Sequence, residues 1–176
     1  MSKKIIRIAI TGPESTAKST LSKVLSDYFN GTFYPEYARE YFEGHPAKYG
    51  YEDLENITKQ QIEQYHESGR VSSGIAFFDT WLIITKVWFQ WVYNTIPSWL
   101  DDEISNLPID LYLLCLPDIP WVPDALRENG GEQRQRLFDV YKNELIARNL
   151  NFVEIGGVGE LRIQNAIQAV QSFIES

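Results

Sequence analysis

Apolar runs of strand length alternate along this chain with segments of helical period. "IIRIAIT" (Ile5 to Thr11) is rich in β-branched residues and ends at a glycine. After it Leu21, Val24, Leu25, Tyr28 and Phe29 recur at the three- and four-residue steps of one helix face. "TFYP" predicts a short second strand stopped by Pro35, and Glu52 to Ser68 a mostly polar helix carrying Leu54, Ile57, Ile62 and Tyr65. "GIAFFDT" is apolar almost throughout, as a parallel strand covered on both faces must be. "LYLLCL" and "NFVEI" supply a fourth and a fifth strand, and a last helix aligns Ile163, Ala166, Ile167, Val170, Phe173 and Ile174. The alternation predicts an α/β protein, a five-stranded parallel sheet with helices on both faces. Ligands of such sheets sit beyond the carboxyl ends of the strands, where Gly12, Glu36, Asp79, Asp118 and Gly156 all fall.

The first of these ends carries "ITGPESTAKSTL", which matches the phosphate-binding pattern G-x-x-x-x-G-K-[ST] at Gly12, Lys18 and Ser19 but has Ala17 where the second glycine belongs. A strand before and an amphipathic helix after are the context that such a loop needs. Amides from Ser15 to Ser19 would face phosphate oxygens at a helix N-terminus, Lys18 would reach the β- and γ-phosphates, and the Ser19 hydroxyl would ligate Mg²⁺. Gly12, Glu14, Ser15, Thr16, Ala17, Lys18, Ser19 and Thr20 thus form the candidate ATP cradle. Ala favours helix, so Ala17 is expected at negative φ inside the first turn.

Further candidates follow the other strands. Asp79 ends "IAFFD" as a Mg²⁺-holding aspartate would, and could cap the helix opening at "DTW" instead or as well. Glu36 and Arg39 in "PEYAREY" share a face if helical, as a proton acceptor and a substrate-orienting cation or as a surface ion pair. "DIPWVPDALRENGGEQRQRLF" places Arg127, Arg134 and Arg136 around an "ENGG" turn, so about 117–136 reads as a lid bringing cations over a transferring phosphoryl, with solvated helix charges as the alternative. "EIGGVG" lets the backbone near Gly157 approach an adenine, or is a simple turn. "TWLIITKVWFQWVYN" is apolar nearly all round and reads mainly as core, with Trp81 and Trp121 kept as candidate base-stacking groups. His45 and His66 have no metal or triad context.

Composition narrows the function. The chain has 176 residues, the size of one domain (1–176), of which 44% are hydrophobic and 14% aromatic. A net charge of −8 argues against nucleic acid or an anionic membrane as partner, though a nest of amides and one lysine still holds phosphate. The lysines and apolar run at the N-terminus lead into the glycine loop instead of a cleavage site, and Asp79 and Lys86 interrupt the run from Phe77 to Trp91, so neither reads as a leader or a membrane span. With Cys115 as the single cysteine, a reduced cytoplasmic protein is expected.

Taken together, "GPESTAKSTL", "PEYAREY", "FFDTWLIITKVWF" and "PDIPWVPDALRENG", in this order, resemble the ribosylnicotinamide kinase domain of NadR over nearly the whole chain. The resemblance implies a P-loop NTPase fold, ATP and Mg²⁺ as cofactors, and transfer of the γ-phosphoryl to the 5′-hydroxyl of nicotinamide riboside or a related nucleoside. Under it Lys18, Ser19 and Asp79 match the nucleotide and Mg²⁺ positions, and Lys18, Asp79, Glu36 and Arg127 form the catalytic set, with Asp79 or Glu36 as base. Glu36 and Arg39 match its substrate-side motif, and Asp124 and Arg127 its lid motif; apart from the resemblance, Trp81, Trp121 and Asp124 are kept as acceptor-side candidates and Arg134 and Gly157 as ATP-side candidates. Ala17, Trp81 and Pro35 depart from the family pattern. The DNA-binding and adenylyltransferase domains that accompany this kinase in NadR are not expected here, and the oligomeric state stays open. The rival readings are an AAA-like ATPase and a non-catalytic nucleotide-binding module serving a protein partner.

Overall fold

The computed structural model describes residues 5–43, 49–70, 74–122 and 130–176. Its centre is a parallel sheet of β1 (Ile6–Thr11), β2 (Thr32–Tyr34), β3 (Ile75–Asp79), β4 (Leu111–Cys115) and β5 (Phe152–Ile155), in the order β2-β3-β1-β4-β5. β1 lies between β3 and β4, with Ile8 opposite both Phe77 and Leu111. This order sets Ile10, just before the loop, in register with Asp79.

The pleat explains why the strands read as unbroken apolar runs. Ile8, Ile10, Phe77, Leu111, Leu113 and Cys115 point to one face, where Leu21 and Leu25 of α1 (Lys18–Tyr28) and Ala166 and Val170 of α7 (Glu160–Ile174) cover them. Ala9, Ala76, Phe78, Tyr112 and Leu114 point to the other. That face is covered by α3 (Tyr51–Ser68), α4 (Leu82–Trp88), α5 (Leu100–Asn106) and α6 (Glu132–Ala147). A short α2 (Tyr37–Glu43) follows β2, and a π-helical turn, Phe89–Tyr93, continues α4. Among the described residues no helix is long and apolar enough to cross a membrane.

Two helix faces differ from the periodic reading. On α1 the buried stripe is Leu21, Ser22, Leu25 and Ser26, while Tyr28 is exposed. Serine is small enough to let the helix lie close to the sheet, and the Ser22 and Ser26 hydroxyls donate to the carbonyls of Lys18 and Lys23, both at 2.8 Å. On α7 the buried stripe is Arg162, Ala166 and Val170, with Ile174 exposed. The aromatic run ends in water: Trp91 and Val92, in the π-helical turn, are exposed.

Candidate active site

The loop between β1 and α1 begins at Gly12, whose φ is +136° and whose Cβ, if it had one, would lie 2.7 Å from the Cys115 carbonyl oxygen. Glycine is required there on both counts. Ala17 differs from expectation. It stands before the helix as the N-cap, at φ 62° and ψ 28°, and its carbonyl accepts the first helical bond from Leu21 N–H at 2.9 Å. The helix begins at Lys18, so the methyl group sits in the left-handed conformation that the usual glycine adopts freely. Helix propensity could not reveal this, because the residue lies one position outside the helix.

Ser15 is also left-handed, at φ 57°. Left-handed residues alternating with ordinary ones curl successive peptide N–H groups into an anion-binding concavity. Six described non-glycine residues have positive φ; three are asparagines, which tolerate it, and the others are Ser15, Ala17 and Thr80. All three of the others lie in the loop or beside Asp79. Backbone strain of this kind clusters at functional sites, and it persists only where its surroundings hold it.

Those surroundings are side chains. Pro13 carbonyl accepts from the Thr16 hydroxyl and from Lys18 Nζ, each at 2.9 Å. Thr80, φ 71°, donates its N–H to Ile10 carbonyl at 3.1 Å. Its hydroxyl accepts from Gln61 Nε2 at 3.4 Å, and Gln61 Oε1 accepts from Thr85 at 2.6 Å. Gln61 is a buried amide on α3 that the sequence analysis did not single out.

Asp79 is 3% exposed, and its Oδ1 has no hydrogen-bond partner. It does not cap α4, whose N-cap is Trp81. Burial above all, and then the charge of Glu36, pushes the Asp79 carboxyl up to about 6, against the opposing pull of a Ser19 hydrogen bond and of Lys18 and Arg39. The loop, the end of β3 and the start of α2 therefore converge: Lys18, Ser19, Glu36 and Arg39 all act on the Asp79 carboxyl. Glu36 and Arg39 face each other at 4.0 Å, partly exposed. Among the described residues no three His, Cys, Asp or Glu side chains gather at metal-ligand spacing. A cation here would be held by one hydroxyl and the unpartnered Asp79 Oδ1, with water and phosphate oxygens completing the shell, a donor set that suits Mg²⁺.

The remaining candidates fall elsewhere than expected. Trp81 is 1% exposed and packs on Tyr65 and Phe78 at centroid distances of 5.4 and 5.3 Å. It is a core residue, not a stacking platform, because its position before α4 turns it under the sheet. Trp121 is half-buried and its ring faces Gly130. Asp124, Arg127 and His45 lie outside the described residues. Arg134 and Arg136 belong to α6, so the expected lid is already helix from Glu132 to its end at Arg136.

Arg134 does not reach over a phosphoryl position. It is buried, donating Nε to Glu14 carbonyl at 3.0 Å, Nη2 to Ser15 carbonyl at 2.6 Å and Nη1 to Ile119 carbonyl at 2.7 Å. Gly157 has φ 97°, its N–H donates to Asp118 Oδ2 at 2.7 Å, and its carbonyl accepts from Arg162 Nε at 2.9 Å. Both its backbone groups are thus engaged, leaving only its surface for an adenine. Arg162, buried on α7, was missed by the sequence reading. Its donors reach the carbonyls of Thr16, Ile155, Leu116 and Gly157 and the carboxylate of Asp118. A signal existed for both arginines. Arg134 precedes Leu137, Phe138 and Tyr141, and Arg162 precedes Ala166 and Val170, at steps that put each on its helix's buried stripe.

The family model AAA_28, described as an AAA domain, matches residues 7–162. The trifunctional NAD biosynthesis/regulator protein NadR of Salmonella typhimurium is 28% identical over 153 residues, which are 84% of this chain and 37% of that protein. A solved structure of NadR in complex with NR superposes with a TM-score of 0.84 at 24% identity, covering 98% of this chain and 52% of that one. A deoxyadenosine kinase from M. mycoides, solved with dCMP and dCDP, superposes at 0.64 and 15% identity over 97% and 99% of the two chains. The sheet and its helices are those of P-loop kinases, and the chain spans only part of the NadR proteins that it matches.

Proposed function

We propose, for a chain that belongs to the AAA domain family, that it is a P-loop kinase moving the γ-phosphoryl of ATP onto a nucleoside 5′-hydroxyl, with nicotinamide riboside as the acceptor. The observation that carries the reading is the junction of two chemistries at one strand end. The loop with Lys18 and Ser19 meets Asp79 there, and Glu36 and Arg39 from the β2 side act on the same carboxylate. The likeness to NadR over 84% of the chain supports the acceptor.

Phosphoryl transfer asks the protein mainly for position and charge. The left-handed Ser15 and Ala17 aim amides at the phosphate oxygens, and Lys18, released from Pro13, meets the β- and γ-phosphates. Ser19 and the orphaned Asp79 oxygen would hold Mg²⁺, which neutralises phosphate charge when bound. Arg39 orients the acceptor, and a carboxylate, Asp79 or Glu36, takes the hydroxyl proton.

A second reading, an ATPase serving a protein partner, has the AAA description of the family in its favour. ADP release with Mg²⁺-ATP, measured with and without a panel of nucleosides, separates the two. Nicotinamide riboside should accelerate release and appear as its 5′-phosphate, because a closed site admits a positioned hydroxyl and excludes water. Lys18→Ala should lower that turnover by about a hundredfold or more. Equal hydrolysis with every nucleoside and with none would refute the kinase, whereas phosphorylation of a different nucleoside would change only the acceptor.

A further inference from the structure

The loop holds strained backbone without the second glycine, so something else must fix it. Three consecutive loop carbonyls, those of Glu14, Ser15 and Thr16, are engaged by two buried guanidiniums. Arg134 takes the first two, at 3.0 and 2.6 Å, and Arg162 the third, at 3.3 Å. In a planar trans peptide the carbonyl and the following N–H point in opposite directions. No described peptide bond is cis. Tying these carbonyls to the arginines therefore turns the N–H groups of Ser15, Thr16 and Ala17 the other way, as a phosphate cradle requires.

Each arginine is itself fixed by a second element. Arg134 also binds Ile119 carbonyl at 2.7 Å. Arg162 also binds the ends of β4 and β5 through Leu116 and Ile155 carbonyls, at 3.1 and 3.2 Å, and pairs with Asp118. A guanidinium offers five N–H donors in a rigid fork, which a lysine cannot imitate. Ser15 adds a third tie, its hydroxyl accepting Val122 N–H at 2.9 Å.

We propose that Arg134 and Arg162 are positioning residues of the phosphate-binding loop, forcing its three peptides and Ala17 into the geometry that a second glycine would otherwise make accessible. The donors of both arginines are directed at backbone carbonyls and Asp118, so each acts through the loop's carbonyls. The proposal rests on the reading above that this loop binds ATP, and it predicts a coupling that simple loss of packing does not. With both arginines present, Ala17 is held left-handed whatever it prefers, and Ala17→Gly changes little. With one arginine removed, alanine relaxes out of that conformation, and glycine at 17 restores access to it.

The test is a double-mutant cycle on the full chain, read as the dissociation constant of Mg²⁺-ATP by calorimetry and as KM for ATP and for nucleoside. Arg134→Gln should weaken ATP by about tenfold or more while leaving the nucleoside KM within about twofold. Ala17→Gly should change ATP affinity less than about twofold in the parent chain and recover about fivefold in the Arg134→Gln background. Arg162→Gln should behave likewise. Arg134→Lys, which keeps charge and length but reaches fewer carbonyls, should fall between, and carries the test if a glutamine variant fails to fold. ATP affinity unchanged in folded Arg134→Lys and Arg134→Gln, or an equal effect of Ala17→Gly in both backgrounds, would overturn the proposal alone. A parent chain that binds no ATP would overturn the function reading, and this inference with it.

Discussion

Replacing Asp79 by asparagine should make the ligand-free protein more stable near neutral pH while removing its activity. The carboxyl is 3% exposed, and burial with the nearby Glu36 pushes its pKa from 3.8 to about 6. A carboxyl raised in the folded state stabilises fully below the unfolded value and loses that contribution as pH climbs through the folded one. A shift of about two units corresponds to about 3 kcal/mol lost between pH 4 and pH 7. Asparagine keeps the shape and carries no charge, so at pH 7.5 it should gain on the order of 2 kcal/mol, after allowing for the Ser19 bond and the pull of Lys18 and Arg39 that it gives up. For a chain of this size that raises Tm by about 4–8 °C. Thermal unfolding of both proteins with EDTA, from pH 4 to pH 8, measures it. The gap should open as pH rises and close toward pH 4. Equal Tm values at pH 7.5, or a gap that widens toward pH 4, would show that the carboxylate is not held at this cost. Added Mg²⁺-ATP should then raise the Tm of the parent chain and do little for the variant.

Other positions test the scaffold. Gly12→Ala places a methyl 2.7 Å from Cys115 carbonyl at φ +136°, so urea unfolding should show a loss of about 3 kcal/mol or more, with ATP binding abolished. Lys86, nearly buried, bridges Glu144 and Asp101 at 3.0 and 3.1 Å. Lys86→Ala should lower stability by about 2 kcal/mol, discounted because both partners are partly wet, and leave KM for ATP unchanged. Thr80→Gly relieves a β-branched residue from φ 71°, yet it should lower kcat, because the Gln61–Thr80 bond that fixes the turn after Asp79 is lost.

Strand positions were legible because parallel strands covered on both faces read as unbroken apolar runs, and that property belongs to the sequence alone. "IAFFD" and "LYLLC" emerged as β3 and β4 for this reason, and Gly12, Lys18, Ser19 and Asp79 followed from the strand ends. Helix faces were read less well, since period alone cannot say that Ser22 and Arg162 are buried while Tyr28 and Ile174 are exposed. Burial of a polar residue depends on what meets it from distant sequence. Arg162 finds carbonyls on the loop, β4 and β5, and Gln61 finds Thr80 and Thr85. The same reason explains Trp81, which lies two residues after the candidate site aspartate yet faces the core. Ala17 is the sharpest instance: its composition favours helix, and tertiary carbonyl contacts hold its neighbours so that it turns left-handed one position before the helix begins. The residue types of the phosphate loop were set locally, but its backbone geometry was decided by two arginines 117 and 145 residues further along the chain, counting from Ala17 to Arg134 and Arg162.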